Sequence, residues 1–246
     1  MLLEDTDMEP SLMRRMLLIA LMLMTGTVWA ETPQNAIVVL SDGGQFARNT
    51  FPRKASWLGL FCDGMNCHLD EAFVALGDGI AEHLGEDEPT DVIHALYGHP
   101  IALFSGIALP EGQVQTWFRH KDYHDDAPVK NLKKLGAWKM PWGNRPLTLS
   151  WVRLPEGTFR YHISDGQKKQ FLFALSPESH HGSDTSTPGI YWVGDLDQDG
   201  AIDFLLNVPY GDCEFDMRLY LSSTAEPGEL VHKSAQLSGG EPACGC

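Results

Sequence analysis

The sequence predicts a mainly β fold, an antiparallel sandwich or a pair of packed sheets, with long loops and little helix. Three observations carry this expectation. Residues 147–175 repeat strand, turn, strand, turn, strand. Leu147, Leu149 and Trp151 alternate with Thr148, Ser150 and Val152, and Phe159, Tyr161 and Ile163 alternate with polar partners, around the turns PEG and DGQ. Short apolar runs such as AIVVL at 36–40 and AIDFLL at 201–206 carry β-branched and aromatic residues, which suit strands. No long stretch has the spacing of an amphipathic helix.

The elements follow in order. AIVVL reads as a first strand, SDGG as a turn, and SWLGLFC (56–62) as a second strand leading into a small cysteine loop. HLDEAFVAL (68–76) is ambiguous, since Leu69, Ala72, Phe73 and Leu76 fit helical spacing while 73–76 also fit a strand. GEDEP (85–89) reads as a solvated acidic loop and HPIALFSGI (99–107) as a strand. LPEGQVQTWF (109–118) reads as a turn and strand with Val114, Thr116 and Phe118 on one face. From His120 to Met140 the chain is polar and Pro-interrupted, and a long loop is expected. The meander follows, then the structureless SPESHHGSDTSTPG (176–189), GIYWVGD, AIDFLLNV, MRLYLSS and one short closing strand.

The N-terminus has a secretory layout. Arg14 and Arg15 precede an apolar run from Met16 to Met24 and the approach TGTVWA, with Val28 at −3 and Ala30 at −1 of a cleavage site. Residues 1–30 are therefore read as a cleaved signal peptide and 31–246 as an exported β-rich domain, periplasmic or secreted. The apolar run falls short of the ~20 residues that a membrane span needs. Export sets the reading of the five cysteines, because disulfides persist in oxidising compartments. Cys62 and Cys67 flank a DG turn and are expected to pair. Cys213 is expected to pair with Cys244 or Cys246, which leaves one thiol over.

The formal charge of the chain is −15, and −13 once residues 1–30 are removed. That balance argues against nucleic acid as a partner, which needs clustered Lys and Arg. It favours cations. The densest acidic run is VGDLDQDGAIDFLLNV (193–208), with Asp195, Asp197, Asp199 and Asp203 inside nine residues. Two like charges about 4 Å apart repel by roughly 4 kcal/mol at an effective dielectric near ~20, so four in one turn call for a cation. Counted from Asp195, carboxylates stand at positions 1, 3, 5 and 9, Gly200 at 6 and the Ala201 carbonyl at 7. Alternate residues of a tightly curled loop point inward, and glycine lets the chain turn. Hard oxygen ligands in this pattern suit Ca²⁺. The pattern is not an EF-hand, because position 12 is Leu206 and both flanks read as strands. A calcium-binding β-hairpin at 190–208 is expected.

Gly194, Asp195, Asp197, Asp199, Gly200 and Asp203, with Phe204 and Leu205 behind them, resemble the FG-GAP or integrin-α-like calcium loop. The resemblance implies that the four aspartates ligate Ca²⁺. It covers about sixteen residues and occurs once. Loops of that family usually recur, one per propeller blade, so a propeller is not implied. The tail LYLSSTAEPGELVHKSAQ is also similar to the end of certain exported bacterial proteins, a likeness that implies no activity.

A search for catalysis finds weaker patterns. His120, His124, Asp125 and Asp126 in HKDYHDD, and His180, His181 and Asp184 in SHHGSD, read as solvated loops. Cys62 could act as a nucleophile only outside a disulfide. Trp138, Trp142 and Trp151 could form a sugar-stacking platform, though tryptophans beside strands more often serve the core. The zincin, nucleophile-elbow, P-loop and dinucleotide motifs are missing from the sequence. The expected function is thus an exported, non-catalytic calcium-binding protein, with a cell-surface or polysaccharide ligand open. The alternative is a secreted hydrolase, acting on carbohydrate, with structural Ca²⁺.

Overall fold

The structure, a computed structural model, describes residues 36–40, 45–83, 86–120, 127–142, 146–176, 187–208 and 214–240. It is mainly β, with 59% strand and 4% helix. In chain order the described residues form β1 (Ile37–Leu40), β2 (Gln45–Ala47), β3 (Leu58–Asp63), β4 (Asn66–Glu71), β5 (Val74–His83), β6 (Glu86–Ala95), β7 (Ala102–Ser105) and β8 (Gly112–Arg119). Helix α1 (Ala127–Leu135) and β9 (Ala137–Met140) come next. Then follow β10 (Leu147–Arg153), β11 (Phe159–Ser164), β12 (Lys169–Leu175), β13 (Gly189–Asp195), β14 (Asp203–Asn207), β15 (Glu214–Leu221) and β16 (His232–Gly240).

Nine strands make one antiparallel sheet in the order β1-β7-β3-β4-β8-β13-β14-β15-β16. Each of these nine strands gives side chains to a single cluster, among them Val38, Leu60, Leu69, Phe104, Val114, Trp192, Leu205, Leu219 and Ala235. A sheet can bring all its strands to one core only by curling, and here it nearly closes. The amide of Gln236 in β16 donates to the Ala36 carbonyl just ahead of β1 at 3.1 Å. The outside of this near-barrel is covered in two places. The three-stranded sheet β2-β6-β5 packs over Val39 and Leu103, burying Phe46, Phe51, Trp57 and Ile93. The four-stranded sheet β12-β11-β10-β9 packs over Ile190, Val193, Phe204 and Leu206, burying Leu149, Tyr161, Ile163 and Phe173.

Strands covered on both faces explain the continuous apolar runs. In β14, Phe204 and Leu206 enter the outer cluster and Leu205 the inner one. In β1, Val38 points inward and Val39 outward. Such strands lose the simple alternation of a one-sided sheet.

Several expectations need correction. HLDEAFVAL is not helical: 68–71 end β4, Ala72 and Phe73 link the strands, and 74–76 open β5. GEDEP is not a loop: residues 86–89 begin β6 and pair with 80–83 of β5 in an antiparallel hairpin. Pairing within a long hairpin overrides the poor strand propensity of acidic residues. The segment 120–140 is not one long loop, for it contains α1 and β9. Pro128 falls in the first turn of α1, where a missing N–H is tolerated. Gly136, at φ 68°, ends the helix with its N–H on the Leu132 carbonyl at 2.9 Å. Val114 and Phe118 do not share a face. A bulge between the β13–β8 pairs at Val193 and Gly194 puts Phe118 against the outer cluster, while Val114 stays inside. The closing strand β16 runs nine residues rather than a few.

The meander at 147–175 pairs as expected, Leu149 opposite Ile163 and Tyr161 opposite Phe173. The local cysteine pair is also in place. Cys62 and Cys67 face each other across the β3–β4 hairpin with sulfurs at disulfide distance, 2.03 Å. That contact occupies the Cys62 sulfur and removes the nucleophile reading. Residues 1–30, Cys213, Cys244 and Cys246 lie outside the described residues. Among the described residues no helix is long and apolar enough to cross a membrane.

Candidate metal site

The site is the loop from Asp195, at the end of β13, to Asp203, at the start of β14. Its ends are fixed by the sheet. Gly194 pairs with Asp203 across the hairpin and with Thr116 of β8 on the other side. The strands approach so closely at Gly194 that an added Cβ would meet the Gln115 carbonyl oxygen at 2.2 Å. Between the strands the chain curls through two left-handed residues, Gln198 at φ 60° and Gly200 at φ 86°. Gln198 is held there by long amide contacts to the Pro110 and Glu111 carbonyls at 3.4 and 3.5 Å. The Trp142 indole donates to the Gly200 carbonyl at 3.2 Å.

This curl turns the carboxylates inward. Asp195, Asp197 and Asp203 bring one oxygen each to within 4.8 Å of one another. Two ligands about 2.4 Å from a shared Ca²⁺ can stand at most about 4.8 Å apart, so the spacing fits a common ion. Asp195 is 7% exposed and Asp203 is fully buried. Among the described residues neither has a Lys, Arg or His ion-pair partner. Backbone amides supply the local compensation. Leu196 N–H donates to Asp203 Oδ2 at 2.7 Å, and Asp199 and Gly200 N–H donate to Asp195 at 3.0 and 2.9 Å.

The compensation is incomplete. Burial pushes the Asp203 carboxyl up to about 7, against the opposing pull of the Ser222 and Leu196 amides, and the nearby Asp197 charge adds to the rise. Burial also raises Asp195, helped by the Asp199 and Asp197 charges. Buried like charges of this kind favour either a proton or a cation.

Asp199 and Ala201 sit differently from the trio. The Asp199 carboxylate accepts from the Ala201 N–H at 2.8 Å and from Ser222 Oγ at 3.0 Å. Two residues that sequence reasoning passed over therefore belong to the site. Ser222, just past β15, donates its N–H to Asp203 Oδ1 at 2.8 Å, and its hydroxyl stands within hydrogen-bond distance of both the Asp199 and the Asp203 carboxylates. The Ser223 hydroxyl donates to Asp197 Oδ2. Their only signal in the sequence is a Ser-Ser pair closing an apolar strand, and register alone brings it beside the loop.

The other sequence candidates stand elsewhere. The His120 ring packs edge-on against Tyr191, and the His120 backbone N–H donates to the Tyr191 carbonyl at 2.9 Å. His124, Asp125, Asp126, His180, His181 and Asp184 lie outside the described residues. The tryptophans do not form one platform. Trp138 is buried in the outer cluster, and Trp151 donates its indole N–H to the Leu132 carbonyl at the end of α1 at 2.8 Å. Trp142 lies against the acidic loop as described.

No protein-family model, no curated protein and no solved structure matches the chain. Fold and site together define a mainly β protein with a largely buried aspartate cluster that could hold a metal ion.

Proposed function

We propose that this chain is an exported, non-catalytic Ca²⁺-binding β-protein whose ion braces the β13–β14 hairpin. The observation that carries the reading is the convergence of Asp195, Asp197 and Asp203 within 4.8 Å, two of them buried and none paired with a base among the described residues. An all-oxygen donor set suits a hard cation, and Ca²⁺ takes six to eight such ligands. Asp195, Asp197 and Asp203 would hold it, with the Asp199 carboxylate and the Ala201 carbonyl as the remaining loop donors. The ion supplies positive charge where burial disfavours carboxylates. The chain's own residues do the rest: they fix the turn, and with it the register of Val193, Ile202, Phe204 and Leu206, all buried in one cluster.

Two observations support export: the secretory layout of residues 1–30 and the Cys62–Cys67 pair at disulfide distance. Calorimetric titration tests the metal. The mature chain should bind about one Ca²⁺, with affinity on the order of 10⁻⁴ to 10⁻³ M. Asp197→Ala with Asp199→Ala should abolish it. At a hundredfold excess over Kd a native-state ligand stabilises by about 2.7 kcal/mol. Melting temperatures in EDTA and in millimolar Ca²⁺ should therefore differ by several degrees, with Mg²⁺ much less effective. Equal melting temperatures together with Ca²⁺-dependent hydrolysis of a polysaccharide would replace this reading with a catalytic one.

A further inference from the structure

Charge is distributed unevenly along the chain. Residues 127–176, which form α1 and the sheet β9–β12, hold nine of the 18 Lys and Arg but only Glu156 and Asp165 as acids. Their formal charge is +7 in a chain of −15. The inner face of the β9–β12 sheet is spent on the core, through Trp138, Met140, Leu149, Tyr161, Ile163 and Phe173. Strand alternation sends Lys139, Arg160 and Lys169 to the outer face.

Register arranges that outer face in rows. Lys139, Thr148, Ser164 and Lys169 stand side by side across the four strands. Ser150, His162 and Phe171 form the next row, and Val152, Arg160 and Ala174 the third. Phe171 is 44% exposed, with the Arg160 guanidinium 4.7 Å from its ring centre and the His162 ring edge-on at 5.8 Å. Among the described residues Lys139, Arg160 and Lys169 have no carboxylate partner. Burial lowers the His162 imidazole, and the Lys169 and Arg160 charges add to the fall against the hydrogen bond to the Arg160 carbonyl.

We propose that the outer face of the β9–β12 sheet binds an acidic polysaccharide, a glycan bearing carboxylate or sulfate groups. The charge of the face complements such a chain. At physiological ionic strength charges farther than about 8 Å are screened, so a polyanion on this face meets the local basic field rather than the acidic remainder. Hydroxyls of Thr148 and Ser150 between the charges suit a polyhydroxylated ligand, and an exposed aromatic ring gives a sugar a flat apolar surface. The apolar exposure is limited to Phe171 and Val152, too little for a face that enters a bilayer. The secretory layout at the N-terminus favours a glycan over a nucleic acid.

The test uses the full chain in EDTA at physiological ionic strength, so that the Ca²⁺ site takes no part. Polygalacturonate and dextran sulfate are titrated, with neutral dextran as control. Binding to at least one of the two acidic glycans and none to neutral dextran is expected. Arg160→Glu with Lys169→Glu should weaken it by about tenfold or more, whereas Arg48→Glu with Lys54→Glu, the same charge change at exposed positions elsewhere, should leave it within about twofold. If the first pair perturbs folding, Arg160→Gln with Lys169→Gln serves in its place. Three results overturn the proposal: no binding to either acidic glycan, equal loss in the control pair, or tighter binding to phosphatidylglycerol vesicles or a single-stranded oligonucleotide than to either glycan.

Discussion

Asp203 is fully buried, and its carboxyl is raised to about 7. In an unfolded chain the same group titrates near about 3.9. Between these values the folded protein retains a proton that the unfolded chain has released. The Asp203 contribution to the stability of the metal-free protein is therefore greatest below the lower value, falls as pH rises through the window, and levels off above about 7. Melting in EDTA should show this decline, and Asp203→Asn should flatten it. Saturating Ca²⁺ competes with that proton, so its stabilising effect should grow with pH across the same range. A metal-free protein that gains stability from Asp203 over this window would contradict the buried-charge account. Gly194 makes a second prediction at this scale. An alanine Cβ would stand 2.2 Å from a carbonyl oxygen of β8 and 2.5 Å from the Trp192 ring. Backbone in a paired strand cannot move aside, so Gly194→Ala should cost about 2–3 kcal/mol in denaturant unfolding. A neutral result would mean that the β8–β13 contact is looser than described.

Among the elements, two hairpins are closed by different devices. The acidic hairpin β13–β14 relies on carboxylates, loop amides and two serines from the end of β15. The β3–β4 hairpin relies on Cys62 and Cys67, which stand in register. Closing so short a loop restricts the unfolded chain modestly, by about 2 kcal/mol in the chain-entropy model. Cys62→Ala with Cys67→Ala should therefore lower stability by about that amount. Peptide mapping of unreduced protein should recover the pair as one linked peptide, and free thiols at both positions would refute the pairing. Helix α1 shows why short elements escape a reading by periodicity. Its nine residues, little more than two turns, place Leu132 in the core and leave Leu135 68% exposed, too few positions to establish a period. Its end is capped locally by left-handed Gly136, whose N–H bonds the Leu132 carbonyl, and from a distance by the Trp151 indole on the same carbonyl.

At the scale of the whole molecule, three clusters share one sheet. Strands β1 and β7 serve the inner cluster and the cluster under β2-β6-β5. Strands β13 and β14 serve the inner cluster and the one under β9–β12. No cluster can be lost without exposing one face of strands that another cluster needs. Unfolding of the described domain with Ca²⁺ present should then be a single transition, with calorimetric and van't Hoff enthalpies equal. Two resolved transitions would show that one covering sheet melts independently.

The sequence by itself determined the β class, the meander at 147–175, the Cys62–Cys67 pairing and the approach of Asp195, Asp197 and Asp203, though not the different placement of Asp199. Each depends on local chemistry: alternation, turn residues, or charges and glycine at fixed spacing within one loop. Only the tertiary structure decided that the central sheet curls toward a barrel, since curling depends on which distant strands become neighbours. It also decided that 86–89 pair as strand, that the bulge at β8 turns Phe118 outward, and that Ser222 and Ser223 meet the acidic loop. The two serine contacts join residues 19 and 26 positions apart. Strand register, fixed by burial on both faces, is what brings them together.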